Sequence, residues 1–417
     1  MLNLLKRPAS LGGLFLFSLT TISCATYQGK VEKSRNLMQQ GQYQEAVQTL
    51  EPLAKDPNGD QLVYLLDYAV ALQLDGKIKE SNTALQQADR LAEAKDYQSL
   101  SRQAGSLLIN QEMVQYKGDS FEKIYINAYG AMNYLELNQL DDALVETRRM
   151  NDKYNKLNGE DRKSFEKNVF GKYLSALIWE GNQNWDDAYI AYEDAYKLDP
   201  TIANLPADLI RSSKRAHRED TYKKWKKQFP QVAEKTEWYD KSFGEIVILY
   251  EQGWGPRKFQ PGGGGYNLAQ LLPVSSENQS VFATIAGTGP AIRSSTIYDV
   301  NKASIETLQH DYSWMAAKRI GAFAAKEVIA SQVRQKDELL GAVAWIAMQA
   351  SERADLRQWS TLPQTIQMVR VPVKAGEYNV HLQGVNGAGT PTGEAKDFTK
   401  VMVKSQRITF LRWRTLK

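Results

Sequence analysis

Small and apolar residues recur at helical spacing through the first half of the chain. The pattern occurs four times, and each copy predicts two helices. A small residue on the second helix lets the first helix pack closely against it. The fourth copy is the clearest, because Tyr192 and Ala195 continue its buried face and Pro200 ends the helix. The equivalent small residues are Ala46, Ser81, Ala143 and Ala188, which recur after 35, 62 and 45 residues (46 to 81, 81 to 143, 143 to 188). This pattern predicts an all-α array of helical hairpins over residues 31–235.

The periodicity changes after Lys241. The run Glu245–Tyr250 (EIVILY) is continuously apolar and rich in β-branched residues, which is typical of a buried strand. Two helices rich in Ala and Gly are predicted at 312–334 and 337–353, and strands at 280–286, 367–373, 377–383, 399–404 and 407–412. The predicted fold class is α+β: the all-α array, then a mixed α/β domain over residues 241–362, then a small β-sandwich-like unit over residues 363–417.

The N-terminus has the pattern of an export signal. Lys6 and Arg7 precede an apolar run at 11–22, which is too short to span a bilayer comfortably. Ser23 and Cys24 follow this run directly, and the sequence there resembles the bacterial lipobox. That resemblance implies a signal peptide over residues 1–23 and a lipid anchor on Cys24. An ordinary signal peptide with an incidental Cys, or an uncleaved anchor, is the alternative.

The lipobox resemblance also implies a destination. Residues 24–30 would be a tether, and Ala25 stands where an Asp would resemble an inner-membrane retention signal. We therefore expect an outer-membrane lipoprotein that faces the periplasm. Cys24 is the only Cys in the sequence, so the body can form no internal disulfide and no Cys-based metal site.

The helical pattern resembles the tetratricopeptide repeat family. Only the first interval, 35 residues, is near the usual repeat length, so the array would be degenerate and carry insertions. The resemblance implies a concave surface that binds a peptide or protein and performs no chemistry. An irregular helical bundle is the alternative.

One stretch of the array, residues 117–151, is dense in aromatic and charged residues. Glu122 is predicted near the start of one helix, while Glu146, Arg148 and Arg149 are predicted on the next. These charges form either an ion pair between the helices or a docking face for a partner. Together with Glu352–Pro363, the stretch is similar to a family of uncharacterised repeat-containing lipoproteins of Gram-negative bacteria. That resemblance implies a role in the cell envelope and supplies no catalytic residues.

A second candidate binding element is the Gly- and Pro-rich loop over residues 253–265. It is predicted to display Trp254, Arg257 and Phe259 to a partner, and the alternative is that both rings pack onto the neighbouring strand. Its run of four glycines is not a phosphate-binding loop, because no Gly-Lys-Ser/Thr follows it.

Charge and composition exclude several classes of function. After removal of the predicted signal peptide with Lys6 and Arg7, the chain carries 50 basic and 48 acidic residues. This near balance argues against nucleic acid as a partner. His217, His310 and His381 lack metal-ligand spacing, and no GxSxG motif is present. We predict no catalytic residue, no cofactor and no metal. The basic run at 211–227 is either a solvated helix face or a contact for lipid headgroups or an acidic glycan.

Two functions remain. In the first, the array binds another envelope protein, in peptidoglycan synthesis or an export machinery, and acts as a scaffold. In the second, the C-terminal domain binds a glycan or surface polymer on stacking aromatic residues: Trp254, Tyr266, Trp359 and Trp413.

Overall fold

The computed structural model describes residues 27–100, 115–156, 169–260, 268–309, 327–328, 331–335 and 354–417. The signal peptide, Cys24, Tyr266, His310, the end of the Gly-rich loop and most of the two helices predicted at 312–353 lie outside these ranges. The described chain forms three layers: a helical array, an inner sheet and an outer sheet.

The described residues of the array form five helical hairpins, which pack in chain order. Its helices are α1 (Tyr27–Gln39), α2 (Tyr43–Lys55), α3 (Gln61–Leu74), α4 (Ile78–Leu100), α5 (Ser120–Glu136), α6 (Leu140–Lys156), α7 (Val169–Gly181), α8 (Trp185–Leu198), α9 (Leu205–Arg215) and α10 (Glu219–Gln228). The predicted all-α array is therefore present and tetratricopeptide-like. Its fifth hairpin, α9–α10, was not among the sequence copies and carries the basic run.

All five hairpins turn in the same way. The second residue after the first helix has a positive φ and donates its amide to the carbonyl three residues before it. The next amide donates to the carbonyl one residue earlier in the helix. In the first hairpin these bonds are Gly41 N to Met38 O, 3.0 Å, and Gln42 N to Leu37 O, 2.8 Å. The five left-handed positions are Gly41, Gly76, Asn138, Gln183 and His217. This shared turn, rather than a constant repeat length, defines the repeat.

The small residues that predicted the hairpins are buried as expected. Ala46, Ala143 and Ala188 are 0% exposed, and Ser81 is 1% exposed. The tether predicted over residues 24–30 is wrong from residue 27 onward, because residues 27–30 form the first turn of α1 and Tyr27 is buried.

The strands are β1 (Phe243–Gln252), β2 (Arg257–Phe259), β3 (Gln270–Leu272), β4 (Ser280–Ile285), β5 (Ile292–Arg293), β6 (Ser295–Asp299), β7 (Thr365–Lys374), β8 (Gly376–Val385), β9 (Pro391–Val403) and β10 (Ile408–Arg414). The inner sheet has the order β10-β1-β7-β6, and the outer sheet has the order β5-β4-β8-β9. β1 is parallel to β10 and antiparallel to β7. β2 and β3 form a separate two-stranded ribbon.

The inner sheet is buried on both faces, which explains why β1 reads as a continuous apolar run. Val247 and Leu249 belong to the core shared with the helices, whereas Ile246, Ile248 and Tyr250 belong to the core between the two sheets. A sandwich therefore exists, but β1 and β4 pair with strands that follow residue 363. The predicted boundary between residues 362 and 363 does not separate two units.

Candidate functional site on the inner face of the helical array

The first helix of each hairpin lies on the side of the array that faces the inner sheet. These helices, α1, α3, α5, α7 and α9, contribute buried polar side chains that reach the sheet or the irregular chain before β7. That irregular chain, residues 354–362, is called the inner segment below. All but two of its residues, Asp355 and Leu356, are buried.

The array holds the main chain of the inner segment with two buried carboxylates. Glu122 at the start of α5 accepts a hydrogen bond from the backbone amide of Trp359, 2.6 Å, and Asp67 of α3 accepts one from the amide of Thr361, 3.1 Å. Glu122 also closes a capping box with Asp119, which fixes its side chain at the helix start.

Helix α1 supplies the donors. The Tyr27 hydroxyl lies 2.6 Å from the carbonyl oxygen of Gln358 and 2.6 Å from Oδ2 of Asp67. The Arg35 guanidinium donates to the carbonyl oxygen of Ser360. Two carbonyls and two amides of consecutive residues are thus recognised by side chains from three different helices.

Two side chains of the inner segment enter the array. The Trp359 ring is 2% exposed and lies 5.1 Å from the ring of Tyr129, between centroids. The Thr361 hydroxyl donates to Oδ1 of Asp67, 2.9 Å. Outside these two anchors, Arg357 pairs with Asp60 of the array at 2.7 Å.

Burial changes the acidity of both carboxylates. Burial raises the pKa of Asp67, against the hydrogen bonds from Tyr27 and Thr361. Burial, and then the nearby charge of Asp119, raises the pKa of Glu122 to about 7. The hydrogen bonds that the inner segment donates to these carboxylates offset part of the cost of burying them.

A second buried cluster joins the array to the middle of the inner sheet. Glu251 of β1 is 0% exposed, pairs with Arg412 of β10 at 2.5 Å and accepts a hydrogen bond from the Tyr129 hydroxyl, 2.6 Å. Arg412 also donates to Oδ1 of Asn133, 2.7 Å. Although burial opposes it, Arg412 and Arg414 lower the pKa of Glu251, so this carboxylate is charged.

A third cluster lies between β7 and the last two hairpins. Arg370 of β7 pairs with Glu180 of α7 at 2.9 Å and with Asp208 of α9 at 3.0 Å. Arg211 binds Glu180 through two nitrogens, 3.0 and 2.9 Å. Burial would raise the pKa of Glu180, but Arg211 and Arg370 lower it to about 2. The bidentate geometry accounts for this effect.

Trp254 is buried, with 5% of its surface exposed, so its predicted display to a partner is wrong. Its ring lies under Arg35 and near Arg414, and its indole N–H donates to the carbonyl oxygen of Leu416, 2.9 Å. The Gly- and Pro-rich sequence predicts a loop that displays its side chains. Instead, Gly255 lets the chain pass against Leu362, to whose carbonyl its amide donates at 2.7 Å.

The neighbouring candidates lie in a strand rather than a display loop. Arg257 and Phe259 are the ends of β2, and both are half-buried. Arg257 pairs with Glu32 of α1 at 3.2 Å. Lys258 between them is buried and pairs with Asp119 at 2.7 Å. These contacts bind Arg257 and Lys258 to the array.

The charged residues of 117–151 separate into two groups. Glu122 is buried against the inner segment and therefore cannot be part of an exposed docking face. Arg149 pairs with Glu146 on the same helix at 3.1 Å, and Glu146 accepts a hydrogen bond from Asn127 of α5, 2.7 Å. Arg148 is exposed and lies 5.7 Å from the Trp179 ring. A partner role for the two arginines stays a prediction.

The aromatic platform proposed for glycans is not assembled by the described residues. Trp254 and Trp359 are buried in different contacts, and the Trp413 ring packs 5.7 Å from that of Tyr250. In the basic run, Arg211 is buried while Lys223 and Lys227 are exposed.

The described ranges contain no helix long and apolar enough to cross a membrane. In the same residues, no group of three or more His, Cys, Asp or Glu side chains could hold a metal ion.

No family model and no curated protein matches the sequence. Among solved structures, MamA from Desulfovibrio magneticus RS-1, residues 41 to the end, is similar at 16% identity over 48% of this chain and 92% of that chain, with a TM-score of 0.31. A tetratricopeptide repeat protein from Parabacteroides merdae ATCC 43184 is similar at 15% identity over 49% of this chain and 67% of that one, with a TM-score of 0.34. The assignment of a tetratricopeptide-like array rests on the five hairpins and their turns, not on these similarities.

Proposed function

We propose that this protein is a non-enzymatic, protein-binding scaffold of the bacterial envelope, anchored by lipid on Cys24 to the periplasmic side of the outer membrane. The observation that supports it is the inner face of the array, where Tyr27, Arg35, Asp67 and Glu122 bind the main chain of an irregular polypeptide segment. A surface that already recognises a polypeptide in this way is suited to a protein ligand. The burial of Trp254 and Trp359 does not favour the glycan alternative.

The lipid anchor is tested by Cys24→Ala. We expect the variant to leave the outer-membrane fraction and to melt at the wild-type temperature, because Cys24 precedes α1, which begins at Tyr27. Retention of the variant in carbonate-washed outer membranes would contradict the anchor.

The scaffold is tested by site-specific photo-crosslinking in intact cells. Glu32 on α1 and Glu45 on α2 are exposed residues of the same hairpin, one on the inner helix and one on the outer helix. A crosslinker at position 32 should capture one envelope protein, identified by mass spectrometry, and a crosslinker at position 45 should not. The capture should disappear with Cys24→Ala. Equal capture from both positions, or none from position 32, contradicts the proposal.

A further inference from the structure

We infer that the inner segment is an intramolecular ligand, and that the inner face of the array is a binding site for a partner peptide with an aromatic residue two positions before a Thr. This inference rests on the proposed function and specifies the site and the chemistry of the partner.

The inner face of the array recognises main-chain atoms. Tyr27 and Arg35 contact the carbonyls of Gln358 and Ser360, and the two carboxylates contact the amides of Trp359 and Thr361. Every peptide except one with proline at an amide position offers these atoms. Main-chain recognition therefore does not restrict the site to the chain's own sequence.

Selectivity at this site is concentrated in two side chains. The Trp359 ring fills a buried space beside Tyr129, and the Thr361 hydroxyl donates to Asp67. The indole N–H also donates to the Thr361 hydroxyl, 3.1 Å, so the two side chains act together. Trp is among the residue types enriched in binding hot spots, which lie in well-packed, desolvated pockets.

The inner segment itself is not part of a sheet. Residues 354–359 have no regular secondary structure, and Ser360 and Thr361 form a turn. The segment is therefore held by side chains of the array and by hydrogen bonds with residues 255–258, such as Gly255 N to Leu362 O, rather than by a strand ladder. Its release breaks no strand pairing of the inner sheet. Its continuity with β7, which begins at Thr365, gives it a large advantage over a free peptide, because a tethered ligand acts at an effective concentration on the order of millimolar.

The experiment supplies the segment in trans. A fluorescent peptide with the sequence of residues 354–363 (ADLRQWSTLP) is titrated into the full chain and into Trp359→Ala, and binding is read by anisotropy. The variant loses the anchor of its own segment, so it should bind the peptide roughly thirtyfold more tightly than the wild-type chain does. A peptide with Ala in place of Trp should not bind.

Two variants serve as controls. Trp413→Ala removes an indole outside the inner face, and this variant should bind the peptide no more tightly than the wild-type chain does. Trp359→Ala combined with Asp67→Leu should lose the gain, because Leu has no oxygen to accept from the amide and the hydroxyl of Thr361. Thr361→Val keeps the side-chain volume and removes the two hydrogen bonds of the hydroxyl, to Asp67 and from the Trp359 indole, while the anchor ring stays. This variant provides a milder release of the segment and should show a smaller gain.

Absence of peptide binding to a folded Trp359→Ala or Thr361→Val chain overturns the inference. Unfolding of both variants also overturns it, because an exchangeable ligand can leave without loss of the fold. These outcomes are distinct from failure of the proposed function. If a partner is captured in cells but the peptide does not bind, the proposed scaffold function stands and the proposed site is wrong. If the peptide binds but no partner is captured, the site stands and the scaffold function is wrong.

Discussion

The indole ring of Trp254 lies under the guanidinium group of Arg35, with 4.1 Å between the ring centroid and Cζ. Trp254 follows β1, and Arg35 belongs to α1, so this contact joins the first hairpin of the array to the inner sheet. Arg35 is itself held by the carbonyl of Ser360. Burial, and then the nearby charge of Arg257, lowers the pKa of Arg35 to about 9, so the guanidinium remains charged at neutral pH.

Trp254→Ala should therefore destabilise the whole chain rather than weaken a binding event. The loss of a buried indole costs about 3–5 kcal/mol in the free energy of unfolding. Urea denaturation followed by circular dichroism would measure it. Phe259→Ala is the matched control, because this ring is half-buried and should cost less. An unchanged denaturation midpoint for Trp254→Ala would contradict the buried contact.

Glu251→Gln should be among the most destabilising single changes. Glu251 is enclosed with Arg412 and Arg414, and the removal of one member of a buried ion pair typically costs about 3–5 kcal/mol because the other charge is left unpaired. The double variant Glu251→Leu, Arg412→Met should recover part of that loss. Asp186→Asn breaks an exposed pair with Arg218 and should cost no more than about 1 kcal/mol. Equal losses for the buried and exposed variants would refute this ranking.

Stability should fall as pH rises from about 4.5 to about 7. Burial and then Asp119 raise the pKa of Glu122 from 4.5 to about 7, so the folded chain keeps a proton in this window that the unfolded chain has lost. The full effect is on the order of 3 kcal/mol. Denaturant midpoints measured across this pH range would show a decline for wild type and a smaller decline for Glu122→Gln. The exposed residue Glu219, changed to Gln, should retain the wild-type slope, and an identical slope for Glu122→Gln would disprove the assignment.

His217→Gly should stabilise the fifth hairpin. His217 has a φ of 56° at the left-handed turn position, where an L-residue with a side chain costs about 1 kcal/mol. Gly41 occupies the equivalent position with a φ of 77°, and a Cβ added there would meet nothing within 4 Å. Gly41→Ala therefore introduces a side chain at the same left-handed position without a steric clash, and it should destabilise the first hairpin. Thermal melting of the two variants should move in opposite directions, and a shift of both in one direction would rule out backbone strain as the cause.

The sequence predicts local structure well because the relevant signals are local. Ala46 and Ala188 mark helix contacts within a hairpin, and the apolar run of β1 marks a strand buried on both faces. The packing of the array on the inner sheet was not predicted, because it depends on pairs such as Asp67 with Thr361, which are 294 residues apart.

One signal for that packing was present in the strand pattern. In β7, Arg370 alternates with Ile366 and Met368 on the face that meets the helices, and in β10 Arg412 follows Phe410 on the same face. A charged residue in phase with buried apolar ones indicates an internal partner. The exposure of Trp254 was predicted wrongly because glycine and proline content indicates irregular backbone and does not indicate solvent contact.

The shared core between the array and the inner sheet also determines when the chain can complete its fold during synthesis. Helices α3 and α5 are synthesised early. The residues that contact Asp67 (Thr361) and Tyr129 (Glu251 and Trp359) come much later in the chain. Before those later residues are synthesised, the carboxylates and aromatic rings of the array have only their partners within the array, such as Tyr27 for Asp67. We therefore expect the inner face of the array to stay incompletely packed until residues 408–414 are synthesised and complete the inner sheet.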